Sequence, residues 1–160
     1  KPDINIKYYG NNSEFLSDNP IEFNLDSWLV LQRVNVRIGA SDLFVGRSYM
    51  FFKEKIKTCQ CAGIKEIILD PGFGFGKTLE HNYHLLKNLS LFKNLEVPIL
   101  AGVSRKSMLF QPLNISPKEA LNATTSANTI ALLKGANILR VHDVKEAMQA
   151  IKVVELLNNY

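Results

Sequence analysis

Three short polar clusters in the second half of the chain hold the side chains able to do chemistry, and each follows an apolar run. The first is Asp70-Pro71-Gly72-Phe73-Gly74-Phe75-Gly76-Lys77-Thr78, the second Gly102-Val103-Ser104-Arg105-Lys106-Ser107, and the third Arg140-Val141-His142-Asp143. Together they offer an acid, a hydroxyl, several cations and a histidine, a set suited to an anionic ligand. No activated serine or cysteine arrangement accompanies them, so covalent catalysis is not indicated. Gly76-Lys77-Thr78 matches the tail of the phosphate-binding pattern G-x-x-x-x-G-K-[ST], but Pro71 stands where its leading glycine belongs. Proline removes an N–H and fixes φ, which damages a backbone phosphate cradle. Taken singly, each residue also has a plainer reading. Asp70 caps a loop, Arg105 and Lys106 are solvated charges at a helix start, and His142 belongs to the turn that Asp143 caps. His81 and His84 lie three apart on one predicted helix, a metal pair without a third ligand.

The elements that position these clusters are legible from Phe51 onward. Phe52, Ile56 and Cys59 recur at helical spacing, and Gly63 sits where that helix should end. Glu66 to Asp70 reads as a buried strand stopped by Pro71-Gly72. Residues 79–94 carry Leu85, Leu86, Leu89 and Phe92 on one helical face, and Pro98 to Val103 is a second buried strand. Ser116, Pro117 and Glu119 announce a helix with a capping box, whose inner face is Ala120, Ala123, Ala127 and Ile130 and which Gly135 closes. Asn137 to Val141 gives a third strand. Asp143 is placed to cap a last helix, with Ala147, Ile151 and Val154 facing inward.

Buried strands alternating with helices imply a parallel sheet, the α/β class. The three strand–helix units fit either the last part of an eight-stranded barrel or a small open sheet. In both, ligands bind beyond the C-terminal ends of the strands, where all three polar clusters fall. Residues 1–50 show short apolar runs such as Trp28-Leu29-Val30-Leu31 but no sustained period and no motif, and are left unassigned.

Composition sets broad limits. Apolar residues make up 46% and charged residues 21%, ordinary for a globular protein with a real core. The net charge of +4 is too small and too scattered to indicate nucleic acid. No apolar run approaches the ~20 residues that span a bilayer, and Lys1 to Gly10 does not read as a signal peptide. Cys59 and Cys61, one residue apart, make a poor disulfide and read as reduced thiols. A cytoplasmic location without membrane contact is the expectation.

The run Ile68 to Thr78, with His81-Asn82 and Leu85-Leu86 after it, resembles the signature of the dihydropteroate synthase family. So do Pro98 through Ser107 and Gly135 through Val144, in the family's order. The resemblance covers residues 51–160 and implies the C-terminal half of a pterin-binding (β/α)8 TIM barrel, of which this chain shows the last three strand–helix units. It implies a transferase of folate biosynthesis that condenses 6-hydroxymethyl-7,8-dihydropterin diphosphate with p-aminobenzoate, releasing pyrophosphate and 7,8-dihydropteroate. It also implies a sulfonamide target, Mg2+ on the diphosphate, and a homodimer.

On that resemblance Asp70 recognises the amino-pyrimidine edge of the pterin, with Gly74 and Gly102 lining the site. Lys106 reaches the pterin from the other side. Ser104 contacts the p-aminobenzoate carboxylate, the Arg105 stem walls that pocket, and Phe75 lines its entrance. Arg140 and His142 grip the diphosphate, and with Lys106 they form the implied catalytic set. No metal ligand is implied within residues 51–160, because the family's metal-binding asparagine belongs to its opening strands. The motifs of those strands are absent from residues 1–50, where Val36 to Ser41 puts Arg37 at the place of an expected acid. A complete barrel takes ~250 residues, so an incomplete chain is expected rather than a true half barrel. Two other functions stay open: the pterin-binding domain of a methyltransferase, which the Ser104-Arg105-Lys106-Ser107 run argues against, and a non-catalytic pterin-binding remnant.

Overall fold

The computed structural model describes residues 43–74 and 76–160 in full, and the backbone of 29–32 and 41–42. Phe75, one of the implied site residues, and most of residues 1–40 lie outside the described residues. Among the described residues the order is β1 (Leu29–Gln32), α1 (Ser41–Cys61), β2 (Ile67–Asp70), α2 (Leu79–Lys87), a 3-10 helix (Leu89–Leu95), β3 (Leu100–Ala101), α3 (Ser107–Phe110), α4 (Leu121–Leu133), β4 (Ile138–Leu139) and α5 (Val144–Asn159). The division expected at residue 50 falls inside α1. The apolar run at residues 28–31, too short to assign from pattern, contributes to β1.

All strand pairs are parallel. Leu29 to Gln32 lie beside Ile67 to Asp70, and Leu100-Ala101 beside Ile138-Leu139. A bridge between Leu69 and Ile99, with the Leu69 N–H on the Pro98 carbonyl at 2.8 Å, joins the two pairs. The strands therefore neighbour one another in chain order with a helical crossover between each. That is how a β/α barrel wall is wound.

Alternation of side chains across the sheet gives it two apolar faces. Ile67, Leu69, Ile99, Ala101 and Leu139 join the main core with the helices. Ile68, Leu100 and Ile138 form a separate buried cluster. Every residue of β2 is buried, as a strand covered on both faces requires. Counting on by two, Asp70 shares a face with Ile68, Gly102 with Leu100, and Arg140 with Ile138. Three implied site residues thus stand on the face of the smaller cluster, at the C-terminal edge of the sheet.

The helices follow their apolar stripes, with differences. In α1, Phe44, Phe52 and Ile56 are buried and Cys59 packs at the margin of the core, and Gly63 ends the helix at φ 85°. The helix expected over 79–94 stops at Lys87. The Asn88 side-chain amide and its backbone N–H both donate to the His84 carbonyl, and the chain continues as 3-10 helix. Leu85, Leu86, Leu89 and Phe92 are buried all the same. α4 starts at Leu121 rather than Pro117, because Ser116 to Ala120 form turns. Both the Ser116 N–H and its hydroxyl donate to the Glu119 carboxylate, at 2.8 and 2.7 Å. Ile130 is exposed rather than inward; the inner face is Thr124, Ala127, Asn128, Ala131 and Leu132. In α5, Ala147, Ile151 and Val154 are buried as expected, joined by Ala150.

Candidate active site

The loop after β2 is shaped by glycine and by two side-chain braces. Gly72, Gly74 and Gly76 take φ of 75°, 90° and 65°, conformations that side chains with a Cβ resist. Asp70 opens the loop as an Asx turn, its Oδ1 accepting the Gly72 N–H at 2.8 Å. Lys77 Nζ donates back to the Gly72 carbonyl. Asn82, buried on α2, accepts the Gly74 N–H at 2.7 Å and donates to the Thr78 carbonyl at 2.8 Å. Thr78 caps α2, its hydroxyl accepting the His81 N–H at 3.1 Å.

The loop after β3 lies against this one. Lys106 Nζ donates to the Phe73 carbonyl, and its stem passes where a Cβ on Gly74 would stand 3.2 Å from Cδ. Burial pushes the Lys106 ammonium down to about 8; Asp70 opposes that shift and Arg140 adds to it. Ser104 is buried, and its hydroxyl meets His142 Nδ1 at 2.8 Å and accepts the His142 backbone N–H at 3.1 Å. The hydroxyl thus meets two nitrogens of His142, and whether it donates to Nδ1 or accepts from it depends on the imidazole tautomer.

Arg140 closes the arrangement from β4. Its Nη2 stands 3.9 Å from Asp70 Oδ2, with the carboxylate buried and the guanidinium half-exposed. Gly102 makes room for it, since a Cβ there would sit 3.1 Å from Arg140 Nη2. Asp70, Gly74, Gly102, Lys106 and Arg140 therefore meet at one sheet edge, with Ser104 and His142 paired beside them.

Arg105 goes elsewhere. Its guanidinium takes Asp143 in a two-point grip, Nε on Oδ2 at 2.9 Å and Nη2 on Oδ1 at 2.7 Å. That hydrogen bonding raises the Arg105 pKa and holds the Asp143 carboxyl below the usual carboxylate range. Asp143 accordingly makes no side-chain cap on α5, contrary to the reading from sequence. His81 and His84 do not form a metal pair. His81 is buried and stacks on Phe44 at 4.7 Å, while His84 lies 3.8 Å from Glu80. Asn82 and Thr124, which hydrogen-bond the Gly74 and Arg105 N–H groups, were not singled out from pattern, and Asp143 was read only as a cap. Asn82 stood within the quoted signature, but its brace crosses eight residues and leaves no periodic trace.

Among the described residues no group of three or more His, Cys, Asp or Glu could hold a metal ion. The polar groups at the edge are mainly cationic, which disfavours a divalent cation unless ligands come from outside the described residues. Nor is any helix among the described residues long and apolar enough to cross a membrane.

Comparison with known proteins decides the family. The family model described as pterin binding enzyme matches residues 33–142, well over half of the chain. The chain belongs to the pterin binding enzyme family. Within it, dihydropteroate synthase of Escherichia coli (strain K12) is 50% identical over 107 residues, covering 66% of this chain and 38% of that protein. A solved structure of Yersinia pestis dihydropteroate synthase with a pterine-sulfa conjugate superposes with a TM-score of 0.75 at 40% identity, over 82% of this chain and 52% of that one. The Coxiella burnetii dihydropteroate synthase in complex with pteroic acid gives 0.75 at 34% identity, over 81% and 50%. The chain is thus part of a (β/α)8 barrel and spans about half the length of those structures or less. The family match begins at residue 33, earlier than the resemblance visible by eye from residue 51.

Proposed function

We propose that residues 51–160 are the C-terminal half of a dihydropteroate synthase barrel. Its reaction condenses 6-hydroxymethyl-7,8-dihydropterin diphosphate with p-aminobenzoate to 7,8-dihydropteroate and pyrophosphate, a step of folate biosynthesis. The observation that carries this reading is the meeting of buried Asp70 with Lys106 and Arg140 at the C-terminal strand edge of a pterin binding chain.

Each group has a part that its chemistry suits. The Asp70 carboxylate accepts paired N–H donors from the amino-pyrimidine edge. Lys106, protonated below about 8, donates to the pterin from the opposite loop. Arg140 offers a forked donor, and His142 a ring N–H, to the departing diphosphate, where negative charge grows in the transition state. The arylamine nitrogen bonds to the pterin methylene carbon as the C–O bond to diphosphate breaks. Pyrophosphate leaves with the electron pair, and the amine gives up a proton. Ser104 and the Arg105 stem bound the p-aminobenzoate side, and Phe75 belongs to its entrance.

Mg2+ bound to the diphosphate would neutralise charge on the leaving group. Among the described residues, those at this edge do not themselves fit such an ion. The resemblance extends the proposal to a homodimer in the cytoplasm.

The test is pyrophosphate release by the full-length protein that carries this chain, given pterin diphosphate with and without p-aminobenzoate. Release that needs both substrates, and that a sulfonamide competes against p-aminobenzoate, supports the synthase. Pterin binding without release would leave the non-catalytic pterin-binding reading. Transfer of a methyl group from a methylated pterin would favour the methyltransferase domain.

A further inference from the structure

Between Ser104 and Lys106, two residues of the proposed site, Arg105 holds a backbone conformation that non-glycine residues avoid, with φ at 51°. A conformation of that kind persists when its surroundings over-determine it. Here three anchors do so. The Arg105 N–H donates to Thr124 Oγ1 at 3.0 Å, a hydroxyl buried on the inner face of α4. The guanidinium is gripped at two points by Asp143. Its remaining nitrogen, Nη1, donates to the carbonyls of Pro117 and Lys118 at 2.9 and 2.6 Å.

The kink has a geometric consequence. It sends the two neighbouring side chains to different partners, Ser104 to His142 and Lys106 to Phe73 in the glycine loop. Asp143 directly follows His142, so the ion pair ties the loop after β3 to the loop after β4. The sites expected for p-aminobenzoate and for diphosphate are thereby joined by one bidentate contact.

We propose that Asp143 is a positioning residue that acts through Arg105, holding the left-handed turn that aims Ser104 and Lys106 into the site. Arg105 accordingly serves by its anchored backbone rather than by offering its guanidinium to substrate. The proposal rests on the synthase reading for its kinetic consequence, and on the fold alone for its structural one.

Both parts are measurable in the full-length protein with Asp143→Asn, Arg105→Gly, Arg105→Ala and the Asp143→Asn/Arg105→Gly double variant. Glycine keeps the left-handed backbone without strain while removing the grip; alanine removes both. Asp143→Asn and Arg105→Gly should each raise the KM for p-aminobenzoate about tenfold with a smaller change in kcat, and the double variant no further than the worse of the two. Arg105→Ala should lose several-fold more than Arg105→Gly. Additive losses, or an unchanged KM in Asp143→Asn, would overturn the inference. Amide hydrogen exchange supplies the readout free of turnover. Exchange at Arg105 and Lys106 should accelerate at least tenfold in Asp143→Asn while the α5 amides stay protected. Unchanged exchange there sinks the proposal even in an active enzyme. A wild-type protein without turnover would defeat the synthase reading and leave the exchange result to decide this one.

Discussion

Arg140 and Asp70 reach across two strands to stand 3.9 Å apart, nearest at Nη2 and Oδ2, the acid buried and the base half-exposed. At that distance the pair is an electrostatic contact rather than a hydrogen bond. The carboxylate's second oxygen holds the Gly72 N–H at 2.8 Å, which orients Asp70 at the edge. We expect Asp70→Asn to keep the fold and raise the pterin Kd by about 10- to 100-fold, the weight of a hydrogen bond to a charged group. Arg140→Ala should instead fall mainly on kcat, because its charge is wanted at the departing diphosphate. Calorimetric pterin binding and steady-state kinetics separate the two, and near-normal values in both would remove the roles assigned to them.

Lys106 sets the pH behaviour. With its pKa lowered to about 8 by burial, the ammonium is lost as pH rises through that value, and with it the donor proposed for the pterin. We expect kcat/KM for the pterin diphosphate to fall above about pH 8, since that ratio reports the free enzyme. Lys106→Arg, which stays protonated, should abolish that limb even if activity drops overall. The stability sign is opposite. The unfolded lysine binds its proton up to 10.5, so between about 8 and 10.5 the unfolded state holds more protons and this group's contribution to folding grows with pH. Thermal unfolding of Lys106→Met across that range should lack the rise.

The clusters that make this edge were visible because each is contiguous and ends an apolar run. That the clusters holding Asp70, Lys106 and Arg140 share one edge was legible from the alternation of strand and helix, while the choice of those three residues rested on the family resemblance. What stayed hidden was carried by contacts distant in sequence. The partner of the Arg105 guanidinium, Asp143, lies 38 residues on and left no mark in the local pattern. Asp143 in turn looked like a helix cap, a role that local pattern favours and the ion pair overrides. Ile130 kept helical spacing with Ala127, yet α4 presents Thr124, Ala127 and Asn128 inward and leaves Ile130 in solvent. β1 was missed because four residues are too few for a period, and only its pairing with β2 makes it a strand.

Gly102 offers a test of space rather than charge. A Cβ at this position would press on the Arg140 guanidinium at 3.1 Å, the far end of a flexible side chain. Gly102→Ala should therefore cost little stability, about 1 kcal/mol or less, because the arginine can swing toward solvent. The same swing removes it from the diphosphate, so kcat should drop about tenfold or more, the scale on which a small misplacement is felt. A folded Gly102→Ala protein with unchanged kcat would show that Arg140 works from a different position.

Asn82 spans the glycine loop from beneath, accepting the Gly74 N–H and donating to the Thr78 carbonyl while itself buried. Removing the side chain takes the acceptor from the part-buried Gly74 N–H, while the Thr78 carbonyl keeps the Asn82 backbone N–H at 3.1 Å. We expect Asn82→Ala to destabilise the protein by about 1 kcal/mol, the net contribution of a typical hydrogen bond. The loop should loosen at Gly74, where the Lys106 stem packs, so pterin affinity should fall further than p-aminobenzoate affinity. Asn82→Asp separates the two bonds, because a carboxylate still accepts the Gly74 N–H but cannot donate to Thr78. If Asn82→Asp binds pterin as the native chain does while Asn82→Ala does not, the Gly74 bond is what holds the loop. If both bind normally, the loop keeps its shape without this brace, and the glycines alone determine it.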